Sequence, residues 1–370
     1  MEKSSLSSKQ RALAAIEHRA LDRVPIDYSA KPEVTERLQS RLGAASLQPL
    51  LEQLHVDFWY VAPVDRIVFQ HQLYCGPDLP RYPDGSWEDI WGVRFRPVEY
   101  ETTTGPGVYQ ETVRAPLAEA TTVAEVERHR WPKGSWYDYS GVAAECDRFA
   151  DWATVGGAWA TIFGDAWRLQ GIEVFLTNMV YAPEVIQAIV ERVEQFYTEA
   201  NTEIFRRARS KLDIFYMGSD FGTQKSMFMS RKMWKQFFAP GIARATALAR
   251  KHGLKVMFHT CGAILDLIPD FIEMGVDILD PVQVAADGMS LVKLKREFGR
   301  DLCFHGGIST QTVLPFGTAQ EVRDEVRRTL DIMMPGAGYI FQPDQSLQPD
   351  VPLDNILAMY ETAWEHGLYR

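Results

Sequence analysis

Residues 255–283 read KVMFHTCGAILDLIPDFIEMGVDILDPVQ and contain a complete strand–helix–strand unit. The short apolar stretches at 255–262 and 277–283 are typical of buried strands. Between them, residues 263–274 have the length and apolar spacing of a helix, and Gly275 is typical of a helix end. This pattern predicts two parallel strands joined by a helical crossover.

Segments of the same kind occur eight times along the chain. They are short, apolar, rich in β-branched or aromatic residues, and they end in glycine, proline or a polar residue. They cover residues 24–28, 58–63, 152–157, 214–220, 255–262, 277–283, 302–307 and 338–344. Helical patterns separate the later segments, and one of them opens with a capping box formed by Thr318 and Glu321. We therefore predict a single (β/α)₈ TIM barrel over residues 1–370.

An open, doubly wound sheet is the alternative fold, but no glycine-rich phosphate turn follows the first segment. Residues 65–135 fit the repeat poorly, because they combine tryptophans and prolines with a TTTGPG turn and the alternating stretch VYQETVRA. We interpret this region as an excursion after the second strand. We expect it to contain a β-hairpin and to cover the barrel mouth.

The composition narrows the class of protein. The chain has 370 residues, 46% of them hydrophobic, and a net charge of −10, which argues against a general nucleic-acid binder. Its four cysteines show no disulfide spacing, so we expect reduced thiols. The polar N-terminus lacks the apolar stretch of a signal peptide, and apolar runs fall short of the roughly 20 residues of a membrane span. We expect a cytoplasmic protein that binds neither nucleic acid nor membranes.

Polar side chains mark the strand ends where barrel chemistry occurs. His259 and Cys261 form an H-x-C pair on one strand, so their side chains point to the same face. Zinc accepts both donor types, and a catalytic zinc usually has three protein ligands. The candidates for the third ligand are Asp220, His305 and Cys303. Core packing is the simpler interpretation for Cys303, which lies one layer deeper than His305.

The other strand-end residues have several possible roles. Asp220 could be a ligand, a general acid or base, or a helix N-cap, and His305 could serve in catalysis or support a ligand. We assign Gln283, Gln345 and Asp27 to substrate binding. Away from these ends, Asp22 and Arg23 suggest an ion pair that braces the barrel floor.

Several segments together resemble the uroporphyrinogen decarboxylase superfamily. The resemblance is strong at residues 8–28 and 205–370 and weak through 65–200. It rests on SKQRALAAIEHRALDRVPID (8–27), GSDFGTQ (218–224), the 255–283 stretch quoted above, FHGGISTQTVLPFGTAQEV (304–322) and GYIFQPDQSLQPDVPLDNILAMYE (338–361). It implies a (β/α)₈ barrel.

The resemblance also separates two chemistries. True uroporphyrinogen decarboxylases carry an arginine-rich segment after the first strand, where this chain reads DYSAKPEVTERL (27–38). The corrinoid- or cobalamin-linked methyltransferases of the superfamily carry H-x-C on the fifth strand and bind zinc with a third cysteine near the last strand. His259 and Cys261 match the first two ligands, whereas Gln345 stands near the third position.

The similarity is therefore closest to the zinc-dependent methyltransferase branch. It implies a methyltransferase- or demethylase-like enzyme that acts on a small substrate, with zinc held by His259 and Cys261. The methyl carrier would be a corrinoid protein or tetrahydrofolate, and a homodimer is possible in this superfamily. The alternative is a metal-free decarboxylase or lyase, in which His259 is a general acid and Arg66 or Arg168 holds a carboxylate.

Overall fold

A computed structural model describes residues 6–61, 73–102 and 105–369. Within them, the main sheet has seven parallel strands that are paired in chain order. They are β1 (Phe58–Tyr60), β5 (Ala153–Gly156), β6 (Ile214–Gly218), β7 (Lys255–His259), β8 (Ile278–Val282), β9 (Cys303–Ile308) and β10 (Tyr339–Pro343). Each occupies a segment predicted as a strand, and only β9 extends past its segment, by one residue. The sequential order is that of a barrel and not of a doubly wound sheet.

Helices alternate with the strands of the main sheet along the chain. In the described ranges they are α1 (Ser8–Ile16), α2 (Pro32–Leu42), α3 (Leu47–Gln53), α4 (Val123–Glu127), α5 (Val142–Arg148), α6 (Ile162–Gln170), α7 (Ile172–Tyr181), α8 (Pro183–Ala208), α9 (Arg231–Phe237), α10 (Ala239–Lys251), α11 (Ile268–Met274), α12 (Leu291–Phe298), α13 (Val313–Phe316), α14 (Ala319–Met333) and α15 (Leu353–His366). The predicted capping box is present at the start of α14. Among the described helices, none has the length and apolar character needed to cross a bilayer.

The predicted first strand, residues 24–28, forms single backbone bonds and not a regular strand. Ile26 bridges Phe341 of β10 in parallel, and its carbonyl accepts from Asp57, the residue before β1. Pro25 has no N–H to donate, and the N–H of Ile26 donates to the Asp57 carboxylate at 2.9 Å. The missing N–H of Pro25 and the side-chain bond of the Ile26 N–H interrupt the ladder of backbone hydrogen bonds. The segment still lies between the two edge strands, β10 and β1, and closes the barrel.

The lower half of the barrel lumen is apolar. It is filled by inward-facing side chains from all seven strands and by two from α1: Ala12, Ile16, Phe58, Ala153, Val155, Ile214, Met257, Ile278, Cys303 and Ile340. Cys303 is fully buried in this layer, which agrees with core packing and not with a place at the mouth.

Below this layer, the barrel floor carries a buried ion cluster. The predicted Asp22–Arg23 pair is wrong, because Asp22 pairs with Arg11 at 2.7 Å and Arg23 pairs with Asp57 at 2.7 Å. Asp57 also accepts from Arg11 at 2.8 Å and is completely buried. The Asp22 carboxylate instead accepts the backbone N–H of Arg23, so these two neighbouring side chains have separate partners.

The predicted β-hairpin is present in the region after β1. Strands β3 (Arg94–Thr102) and β4 (Gly105–Arg114) are antiparallel, and the short β2 (Trp87–Glu88) extends them to a three-stranded sheet. At the base of the hairpin, Trp91 is buried against Phe196 and Tyr197 of α8. These contacts attach the region to the outside of the barrel. That this region also covers the mouth stays a prediction, and residues 65–72, 103 and 104 of it lie outside the described residues.

Candidate metal centre

The upper half of the lumen is polar, and it is built by the same strands that fill the lower half. On β1, β6, β7, β8 and β9, the residue two positions after an inward apolar side chain is titratable. These residues are Tyr60, Tyr216, His259, Asp280 and His305. Hydrogen bonds connect them, with Asp27 as a further member, into one network.

At the top of this network, three side chains bring possible ligand atoms together. Atoms of Asp220, His259 and Cys261 all lie within 4.8 Å of one another. The Nε2 atom of His259 is 3.2 Å from Asp220 Oδ1 and 3.4 Å from Cys261 Sγ. The set combines carboxylate, imidazole and thiol donors, all of which zinc accepts. The Asp220 side chain is 54% exposed, so the cluster faces the opening of the barrel.

The loops after β6 and β7 hold these three residues in place. The Asp220 carboxylate accepts the backbone N–H of Cys261 at 3.0 Å, which ties one loop to the other. Gly262 has φ +91°, and a Cβ there would lie 2.4 Å from the Gly222 backbone. A side chain at 262 would therefore force the two loops apart.

The His259 ring is oriented by a buried carboxylate. Its Nδ1 atom is 2.6 Å from Asp280 Oδ2, and Tyr216 donates its hydroxyl to the same oxygen at 2.6 Å. An ionised carboxylate only accepts, so the proton is assigned to Nδ1, and neutral His259 has its lone pair on Nε2. Metal-bound histidines commonly have this carboxylate behind them.

His305 lies behind the cluster and not in it. The residue is 1% exposed, its Nδ1 is 2.5 Å from Asp280 Oδ1, and its Nε2 is 3.0 Å from Asp27 Oδ2. Burial opposes its charge, but the two carboxylates raise the pKa of His305 to about 9. With both nitrogens engaged, His305 supports Asp280, and the geometry favours Asp220 as the third ligand.

The residues expected to bind substrate occupy supporting positions. Asp27 is fully buried and accepts from Tyr60 at 2.7 Å as well as from His305. Gln283 is buried and accepts the backbone N–H of Gly262 at 2.8 Å. Gln345 donates to Cys261 Sγ at 3.3 Å. The structure thus uses these side chains to hold the site, and their contact with a substrate stays a prediction.

The titratable groups of the cluster shift one another's pKa values. Burial works against a charged His259, but the Cys261 thiol and the carboxylates of Asp220 and Asp280 raise its pKa well above the usual value. Partial burial tends to raise the pKa of Asp220, yet hydrogen bonds from His259 and Cys261 lower it. Burial raises the pKa of the Cys261 thiol. A divalent cation would replace the protons on His259 Nε2 and Cys261 Sγ, as metal binding to such groups requires.

The arginines named for a metal-free site are placed differently. Arg168 lies on α6, where it pairs with Asp165 at 3.5 Å, and that carboxylate also contacts Tyr197 of α8. Arg66 lies outside the described residues. Asp220 and His259 contact each other, and their other hydrogen bonds and ion pairs go to Cys261, Asp280 and Tyr216. Within the described part of the chain, these partners include neither arginine nor lysine.

Three residues of the site had no assigned role in the sequence analysis. They are Asp280, Tyr216 and Trp159, whose ring centroid is 4.3 Å from that of Tyr216 and 5.1 Å from that of His259. A signal for two of them exists in the sequence. Tyr216 and Asp280 each follow an inward apolar residue by two positions, as His259 follows Met257.

Comparisons with known proteins agree with this architecture. The sequence profile of a family described as uroporphyrinogen decarboxylase matches residues 101–366, well over half of the chain. A search of curated proteins found no match. Among solved structures, a methyltransferase from Methanosarcina mazei is similar, with a TM-score of 0.62 and 16% sequence identity over 98% of this chain and 99% of that one. At this identity, the similarity shows the fold alone.

Proposed function

This chain belongs to the uroporphyrinogen decarboxylase family, and we propose that it is a zinc-dependent enzyme of the methyltransferase or demethylase type that acts on a small substrate. The observation that carries the proposal is the convergence of Asp220, His259 and Cys261 within 4.8 Å, with His259 Nδ1 held by Asp280. A structural neighbour named as a methyltransferase supports it. Three protein ligands leave a further position for a substrate, as in catalytic zinc sites.

The residues present fit a zinc ion by their chemistry. His259 Nε2, Cys261 Sγ and an Asp220 oxygen would hold it, and when bound it would lower the pKa of a substrate thiol or hydroxyl or polarise a leaving group. Asp280 would keep the Nδ1 proton of His259 in place, and so keep Nε2 directed at the metal. If Asp220 is not a ligand, its half-exposed carboxylate on the open side is placed to exchange a proton with the substrate.

The proposed reaction also needs a partner that carries the methyl group. A corrinoid protein or tetrahydrofolate would serve as methyl carrier and would approach the mouth of the barrel. In this proposal either carrier is a separate molecule.

The metal content of the purified protein tests this function. We expect about one zinc per chain in the wild type, because three protein donors suffice for a catalytic site. Cys261→Ser should lose most of that zinc, whereas Cys75→Ser, a change at an exposed cysteine, should retain it. Unchanged zinc in Cys261→Ser would show that the central assignment is wrong.

A metal-free carboxy-lyase is the second candidate, and one observation favours it. In the absence of a cation, His259 lies between the carboxylates of Asp220 and Asp280, which raise its pKa and so favour the protonated imidazole that this mechanism needs to protonate a carbanion. Under this alternative the wild type would turn over its substrate after complete removal of zinc. Activity that disappears with zinc and returns with it would exclude the lyase mechanism.

A further inference from the structure

Gln345 has a fixed orientation against the sulfur of Cys261. Its side-chain Oε1 accepts the backbone N–H of Ser346 at 2.8 Å, and its Nε2 lies 3.3 Å from Cys261 Sγ. A backbone N–H can only donate, so the oxygen must face Ser346 and the NH₂ group must face the sulfur. The amide therefore donates to Cys261.

The loop that carries Gln345 is anchored at several points. The Ser346 hydroxyl is 2.6 Å from the Ser29 hydroxyl, and the N–H of Leu347 donates to the Ser29 carbonyl at 2.9 Å. Gln348 donates to the Ser346 carbonyl at 3.1 Å. The amide of Gln345 is thus set in place by the fold before any ligand arrives.

We propose that Gln345 is a positioning residue that donates an N–H···S hydrogen bond to the metal-bound thiolate of Cys261 and lowers the nucleophilicity of that sulfur. The inference rests on the proposed metal site and deepens it. Hydrogen bonds to a ligating sulfur withdraw electron density from it and tune the metal to which it is bound. Cys261 then stays a ligand, and reactivity is directed to the group that occupies the open position.

This role also explains why Gln345 stands near the position where the resemblance implies a third cysteine ligand. An amide NH₂ has donors but no lone pair to offer a cation. With its oxygen engaged by Ser346, Gln345 supports a ligand and leaves the third position to Asp220.

Cobalt substitution tests the inference, since thiolate-bound Co²⁺ has a near-ultraviolet charge-transfer band. Gln345→Met removes the donor at similar side-chain length, and Gln345→Asn shortens the amide so that it cannot reach the sulfur. In both variants we expect the band to move to longer wavelength, because the sulfur lone pairs are no longer stabilised. Gln320→Met, a change at an exposed glutamine of α14, is the matched control, and its band should coincide with that of the wild type.

Alkylation of the cobalt- or zinc-loaded protein by iodoacetamide gives a second readout. The Cys261 sulfur forms a bond to the methylene carbon as iodide leaves, and mass spectrometry follows this peptide against that of exposed Cys75. Loss of the donor should accelerate Cys261 alkylation on the order of 2- to 10-fold, the rate equivalent of a net hydrogen bond of about 0.5–1.5 kcal/mol.

The outcomes separate this inference from the function on which it rests. A wild-type protein that shows no thiolate charge-transfer band with cobalt overturns both the metal site and the role of Gln345. A wild-type band that neither Gln345 variant moves, with alkylation rates unchanged, overturns the role of Gln345 alone and leaves the metal site in place.

Discussion

Two buried aspartates, one at the floor of the barrel and one near its mouth, are held in similar ways but by different partners. Asp57 accepts from Arg11 and Arg23, and both of these side chains are almost entirely buried. Asp280 accepts from His259 and His305. Arginine stays charged at every pH that the protein meets, whereas histidine can lose its proton and bind a metal. The floor is therefore suited to permanent structure and the mouth to chemistry.

The same contrast appears along single strands. Ile278 lies in the apolar lower layer, and Asp280, two residues further along β8, belongs to the polar network. On β7, Met257 likewise lies in the apolar layer, and His259 belongs to the polar network. A step of two residues keeps the side chain in the lumen and moves it by roughly 6–7 Å toward the mouth. The barrel thus separates stability from function by depth.

The largest effect is expected at the floor. Asp57→Asn keeps the shape of the side chain but leaves Arg11 with only Asp22 and Arg23 without its carboxylate. Breaking a buried ion pair in this way should lower the free energy of unfolding by about 3–5 kcal/mol. Urea denaturation at pH 7 measures it.

An exposed pair provides the control for this prediction. Arg323 and Glu361 are 3.4 Å apart at the surface, and Glu361→Gln should cost at most about 1 kcal/mol. If Asp57→Asn were no more destabilising than Glu361→Gln, the floor cluster would have no special structural role.

The next largest effect is expected in the pH dependence of the free energy of unfolding. The pKa of His305 is raised to about 9 in the folded protein by Asp27 and Asp280, the charged groups that face it, while the ring of Phe58 packs edge-on. A raised pKa contributes stability that is fully present below about pH 6.5 and is lost as the pH rises toward 9. We expect this loss to be about 3 kcal/mol.

The comparison of two variants isolates the contribution of His305. The difference in unfolding free energy between wild type and His305→Gln should shrink between pH 6.5 and 9. The difference between wild type and Asp57→Asn should stay constant over the same range, because both arginines remain charged. Equal pH dependence of the two differences would contradict the distinction between floor and mouth.

Much of this arrangement could be predicted from the sequence. Seven strand segments, the hairpin and the proximity of His259 to Cys261 follow from local patterns. The role of Asp280 could not be predicted in the same way, because it depends on register: its partners lie 25 residues ahead, at His305, and 64 residues back, at Tyr216.

The approach of Asp220 to Cys261 and the irregular backbone at 24–28 could not be predicted either, because both depend on contacts between residues far apart in the sequence. Asp220 approaches Cys261 because the loops after β6 and β7 meet, a contact over 41 residues. The segment at 24–28 satisfied the pattern of a strand, but the carboxylate of Asp57, 31 residues away, takes the N–H of Ile26. In both cases a carboxylate accepts a backbone N–H, and the alternation of apolar residues in the sequence does not indicate such a hydrogen bond.

The smallest effect is expected for the second aspartate, and it concerns metal affinity. Asp280→Asn should weaken zinc binding by about 10- to 100-fold, the usual consequence of removing the partner behind a ligating histidine. An amide can present its NH₂ group to His259 Nδ1, which would favour the tautomer with the proton on Nε2 and take the lone pair away from the metal. Chelator competition measures the affinity. Asp57→Asn is the matched control: it removes the same charge from an equally buried aspartate, and the zinc affinity of its folded fraction should equal that of the wild type. Equal zinc affinity in the two variants would mean that Asp280 braces the barrel as Asp57 does, and that His259 does not depend on it for orientation.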